Sequence, residues 1–162
     1  MSVPLGGVLT RSLAPLVASA VVTLDQLTKW WASATLDDGH VIDIVWTLRL
    51  NLVRNSGAAF STGRGLGPVF GVIAVVLVLV LVRMGRVMKS SAMTIALGLV
   101  LGGALGNFGD RLFRSGSGGF LGGYVVDFID VQWWPVWNVA DMAIVGGAIG
   151  LAWFSTRSEP ET

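Results

Sequence analysis

Hydrophobic positions gather into four long runs, at about residues 13–34, 66–83, 92–109 and 136–154, with polar stretches between them. Each run approaches the roughly 20 apolar residues that a helix needs to cross a hydrocarbon core of about 30 Å. The second run is uncharged from Leu66 to Val82, and the third is rich in glycine. Residues 35–65 break the helical pattern. Asp37-Asp38-Gly39-His40 is a turn signal, and Val41–Val45 and Leu48–Val53 then alternate with a period of two. That alternation predicts two short strands, hence a small sheet lying on the membrane surface. Residues 110–135 read as a polar loop with glycine clusters, and Ser155–Thr162 as a polar tail. The first run lacks an A-x-A-like exit and carries charges in its last third, so it reads as a retained span, not a cleaved leader.

Charge sets the orientation. Arg83, Arg86 and Lys89 lie in the short connection between the second and third runs. The positive-inside rule puts that connection in the cytoplasm, and both termini with it. Residues 35–65 and 110–135 then face outside. Composition agrees with a single membrane domain, since 53% of the 162 residues are apolar and 13% are charged, against about 25% charged in soluble domains. The net charge of +1 gives no case for nucleic-acid binding. With no cysteine and one histidine, His40, the chain has no disulfide, thiol nucleophile or His-rich metal site, and a Ser-His-Asp triad fits poorly. Carboxylates become the main catalytic candidates, with no metal or cofactor implied.

Two of them stand out. Asp127 lies in the apolar run Tyr124–Ile129, and Asp141 opens the fourth apolar run, 14 positions later. Ionisable groups at membrane depth are costly and mark function by default. Two carboxylates that share a proton can activate water. Each also has a plainer reading: Asp141 as an acidic residue favoured at a helix N-terminus, Asp127 as a solvated loop carboxylate beside Asp130. Other polar residues converge on the same side. Asp25 and Lys29 are spaced i,i+4, as an interfacial ion pair or as a brace for a site. Asn107, Asp110 and Arg111 close the third run, Asn138 precedes Asp141 by three positions, and Asn55 and Gly57 join the strands to the second run. Gly98, Gly102 and Gly106 form a small-xxx-small stripe suited to close helix packing. An ion-coupled transporter or a membrane scaffold is also open to such a chain. A transport path needs polar groups at both faces, and here they cluster on one; a scaffold would tolerate loss of both aspartates.

Five blocks occur in a familiar order: Asp25-Gln-x-x-Lys29, Asn55-x-Gly57-Ala-Ala-Phe60, Gly106-Asn-x-x-Asp-Arg111, Val126-Asp-Phe128 and Asn138-x-Ala-Asp141. Together they resemble bacterial lipoprotein signal peptidase (signal peptidase II) over about residues 20–150. The resemblance implies a membrane all-α bundle of four transmembrane helices with a small extracytoplasmic β-cradle at about 35–65. It implies an intramembrane aspartyl endopeptidase of the cytoplasmic (inner) membrane, monomeric, with its site near the outer leaflet. The substrates would be diacylglyceryl-modified prolipoproteins, cut just before the lipidated cysteine of the lipobox. Membrane lipids would surround the protein, and globomycin-type cyclic peptides would inhibit it. The family's dyad maps onto Asp127 and Asp141. Asp25, Lys29, Asn55, Gly57, Asn107, Asp110, Arg111 and Asn138 map onto substrate-binding or bracing positions. Two departures are visible: the segment Arg114–Gly123 looks longer than in the enterobacterial type, and Trp137 stands where phenylalanine is common. Asn107-Phe-Gly-Asp110 also resembles the Gly-x-Gly-Asp of presenilin-type proteases, but the first glycine is replaced.

Overall fold

The structure, a computed structural model, describes residues 5–56, 72, 76, 79, 83, 90–115 and 121–157. Three long helices are described: α1 (Leu5–Leu36), α2 (Ser91–Phe113) and α3 (Val139–Arg157). The last two are long and apolar enough to cross a membrane. Of the second run, the four described positions Val72, Val76, Leu79 and Arg83 are helical and exposed. The rest of that run, and Gly57 with Phe60, lie outside the described residues.

Local signals set the helix ends. Ser90 is extended (φ −81°, ψ 125°), and its hydroxyl accepts from the Met93 amide at 3.5 Å. At α3 the cap is reciprocal. Asn138 Oδ1 accepts from the Asp141 amide at 2.9 Å, and the Asp141 carboxylate accepts from the Asn138 amide at 3.2 Å. This is a capping box with aspartate in the place of the usual glutamate.

The glycines of α2 let the helices approach closely. A Cβ on Gly98 would stand 2.8 Å from Ala14 O, and one on Gly102 would stand 2.6 Å from Val21 Cβ, both on α1. Gly103 faces the Ala140 carbonyl of α3, and Gly147 of α3 faces Ala96 O at 2.6 Å. Gly98 and Gly102 of the expected stripe are therefore a packing face for α1, while Gly103, outside the stripe, packs on α3. Gly106 is different: a Cβ there would meet the Asp25 carboxylate at 2.6 Å. Its missing side chain makes room for a charge.

Strands β1 (Ile42–Val45), β2 (Leu48–Asn55) and β3 (Val125–Asp130) form one antiparallel sheet in that order. The alternating segments after α1 form strands as expected. The third strand comes from the stretch that reads as a loop. Val125–Phe128 is buried on both faces, so it has no polar alternation to betray it. One face packs Val126 and Phe128 on Ala32 and Leu36 of α1. The β1–β2 turn places Trp46 at φ 52°, a left-handed conformation that costs a bulky residue roughly 1–2 kcal/mol.

Candidate active site

Asp127 reaches the site from the middle of β3, Asp141 from the first turn of α3. One residue links them. Asn138 Nδ2 donates to Asp127 Oδ1 at 2.7 Å, while the Asn138 backbone amide donates to Asp141 Oδ2 at 3.2 Å. Each carboxylate has a second amide donor. Asn55, at the end of β2, donates to Asp127 Oδ2 at 3.0 Å. Asn107, on α2, donates to Asp141 Oδ1 at 2.8 Å. Asn55 reaches Asp127 because β2 and β3 pair in a register that sets Val53 opposite Asp127 and Asn55 opposite Val125.

Asp127 is only 2% exposed. Burial pushes its carboxyl up to about 6; the nearby Asp141 charge adds to the rise, and the donors Asn55 and Asn138 oppose it. The solvated-loop reading of Asp127 does not hold, because β3 is a buried strand.

Behind the pair lies a buried ionic cluster. Lys29 and Asp25 are fully buried, and Asp110 is 1% exposed. Lys29 Nζ lies 2.8 Å from Asp25 and 2.9 Å from Asp110, and it donates to Asn107 Oδ1 at 2.8 Å. Its three protons thus have three acceptors. Asn138 Nδ2 also donates to Asn107 Oδ1, at 3.1 Å. With two donors on its oxygen, the Asn107 amide has its NH2 turned to Asp141. Asp25 also accepts from the Ala140 amide at 3.0 Å, so a carboxylate on α1 caps the N-terminus of α3. Asp110 accepts from the Val126 amide at 3.2 Å, tying α2 to β3. Asp25 and Lys29 therefore form an ion pair buried within the protein.

Arg111 is half-buried, donates to Gly123 O at 3.5 Å, and lies within electrostatic reach of Asp127, Asp110 and Asp141. Two residues in the cluster escaped sequence reasoning. Gln26 donates to both Asp25 and Asp110, at 3.1 and 3.2 Å, and Arg114 pairs with Asp110 at 2.8 Å. Arg114 had a signal, its i,i+4 spacing from Asp110; Gln26 had none beyond its place between Asp25 and Lys29. Among the described residues, no group of His, Cys, Asp and Glu side chains could hold a metal ion.

Three helices around two amide-linked carboxylates, roofed by a small sheet, define a class of membrane enzyme. A bacterial membrane enzyme solved by the in meso method superposes with a TM-score of 0.77, at 30% identity and over 92% of each chain. A second such structure gives a TM-score of 0.75 at 29% identity, over 90% of this chain and 94% of the other. The family model described as signal peptidase (SPase) II matches residues 17–157, and the chain belongs to that family. It is 46% identical over 140 residues to a lipoprotein signal peptidase of Rhodococcus jostii, covering 86% of this chain and 70% of the relative. It is 48% identical over 134 residues to relatives of the same name from Mycolicibacterium smegmatis and Mycobacterium avium. The match covers 82% of this chain in both cases, and 56% and 72% of the relatives.

Proposed function

We propose that the chain is an intramembrane aspartyl endopeptidase that removes the signal peptide from diacylglyceryl-modified prolipoproteins, with Asp127 and Asp141 as its catalytic dyad. The observation that carries this reading is Asn138, whose side chain binds one carboxylate and whose backbone binds the other. Family membership supports the substrate class. The structural likeness to membrane enzymes supports a multi-pass protein of the bacterial cytoplasmic membrane, with the run at 66–83 as its fourth helix. The short basic connection supports cytoplasmic termini and a site near the outer leaflet.

In this mechanism the dyad holds one proton, because like charges side by side do not both ionise easily. Burial favours the proton on Asp127, which polarises the scissile carbonyl as the acid. Asp141, in the first turn of α3, serves as the base that takes a proton from the attacking water. As the tetrahedral intermediate collapses, the proton on Asp141 passes to the leaving amine. Arg111 and Asn55 are the groups placed to bind the extended substrate backbone, which needs partners inside a membrane. Asp25, Lys29, Asn107 and Asp110 hold the dyad from behind. The chain works as a monomer without a cofactor, and globomycin-type peptides compete with the substrate for the dyad.

The test is direct. Purified protein in detergent is incubated with a diacylglyceryl-modified prolipoprotein, and release of the signal peptide is followed by gel shift beside Asp127→Asn and Asp141→Asn. Release by the unmodified chain alone is the expected result. Turnover by either folded variant at a near-normal rate overturns the dyad; no release from a confirmed lipidated substrate overturns the protease.

A further inference from the structure

The tip of the sheet farthest from α1 is apolar and bare. Trp46 is 95% exposed, Val45 66% and Ile44 53%, and across the sheet Trp133 is 73% and Trp134 59% exposed. These are two separate segments held together. Gln132 Nε2, at the end of β3, donates to the Thr47 carbonyl in the β1–β2 turn at 3.1 Å, and Trp133 stacks edge-to-face on Trp134 at 6.5 Å. Both segments carry backbone in the left-handed region, at Trp46 (φ 52°) and Gln132 (φ 71°). Strained positions of this kind persist where the surroundings fix them, and they cluster at functional sites.

Charge stops short of the tip. Residues 44–48 and 131–140 contain no charged side chain, and the nearest charges, Asp43, Arg49 and Asp130, lie behind it. Arg49 and Asp130 are paired at 2.8 Å. An uncharged patch built on tryptophan is a liability in water, but suits the boundary of headgroups and acyl chains, where indole buries its ring and wets its N–H. The patch also runs on into α3. Trp134 precedes the first residue of that helix, Val139, by five positions. Along α3, Met142, Val145, Ile149 and Trp153 are exposed at the spacing of one helical face, each more than half exposed.

We propose that Trp46, Trp133 and Trp134 form an anchor that inserts into the phospholipid interface and holds the sheet flat on the membrane. Rising at about 3.3 Å per residue, β3 runs roughly 10 Å from Asp127 to its end at Asp130, just short of this anchor. The dyad is thereby fixed at a set depth, between the anchor at one end of the sheet and the helices at the other. The inference rests on the membrane reading of the chain but not on its peptidase activity.

The native chain has no cysteine, so single spin labels can be placed at will. Nitroxides at Val45→Cys, at Val145→Cys on the exposed face of α3, and at His40→Cys in the exposed turn after α1 are compared. The protein is reconstituted in vesicles of phosphatidylethanolamine and phosphatidylglycerol, and collision with oxygen and with a water-soluble nickel chelate is measured. Position 45 is expected to resemble position 145, rich in oxygen and poor in nickel, while position 40 meets nickel. Adding Trp46→Glu and Trp133→Glu should raise the nickel-to-oxygen ratio at position 45 several-fold. A label at 45 that resembles 40 while 145 stays in lipid overturns the anchor. So does a lipid-exposed label at 45 that the glutamates do not move, or one broadened by a neighbouring label, which would make the patch a contact between copies. If position 145 also meets nickel, the membrane reading itself is overturned.

Discussion

The two ends of the α1–α2–α3 bundle are held together by opposite means. Around Gly98, Gly102 and Gly147, backbone meets backbone, with Ala18, Leu97, Val100 and Leu101 filling the rest and no charge within the cluster. Around Asn107, three helices and a strand meet through hydrogen bonds and ion pairs that bury Lys29, Asp25, Asp110 and Asp127. In lipid, apolar burial gives helices little reason to associate, so close packing at one end supplies the adhesion. That frees the other end to hold charges in a fixed geometry, which is the arrangement acid–base chemistry needs. Gly106 marks the border between them: it belongs to the glycine stripe by spacing, yet the space it leaves is filled by the Asp25 carboxylate.

The largest expected effect falls on the polar end and leaves the packed end untouched. Asp127→Asn or Asp141→Asn should cost about 10²–10⁴-fold or more in cleavage, the range removed with a general acid or base, with melting temperature and membrane insertion unchanged. Next is Lys29→Met, which strands Asp25 and Asp110 without their shared cation. Removing one member of a buried ion cluster costs about 3–5 kcal/mol, so the variant should lose folded protein on size exclusion. Lys29→Met combined with Asp25→Asn should recover much of that loss. If the double variant is no more stable than Lys29→Met alone, the cluster is not the brace inferred here.

The packed end is probed by Gly103→Val. Its new Cβ would run into the Ala140 carbonyl, and overpacking of this kind costs about 1–3 kcal/mol. Melting should fall first, and activity only as α3 shifts, since Ala140 adjoins Asp141. The smallest effect concerns pH. With Asp127 as the acid and its carboxyl pushed up to about 6, the protonated form is lost as pH rises. Consequently kcat/KM should decline on the alkaline side of that value. Asn55→Ala removes a donor that favours the charged form, so the decline should move to higher pH. A profile flat from pH 5 to 9 would assign the proton elsewhere.

Much of this was legible in the chain because membrane helices and caps are local. The apolar runs, the period-two strands after α1 and the three-position spacing of Asn138 and Asp141 each involve residues within a few positions of one another. The third strand was not legible. Val125–Asp130 lacks alternation, because the helix end and the sheet cover both of its sides. For the same reason Asp127 could pass for a loop carboxylate until its burial was seen. Gln26 was hidden because its partner Asp110 lies on another helix, whereas Arg114 stands one helical turn from Asp110 and was legible in its i,i+4 spacing.

By itself the sequence determined which groups could do chemistry and where the chain turns from lipid-like to water-like, since composition and period are properties of neighbours. Only the tertiary structure decided which carboxylate is buried deepest, which way the Asn107 amide points, and that Lys29 serves three acceptors drawn from α1 and α2. The last depends on Asn107 and Asp110 of α2 being brought within 3 Å of Lys29, 78 residues or more away in the chain, and no short window of sequence contains both partners.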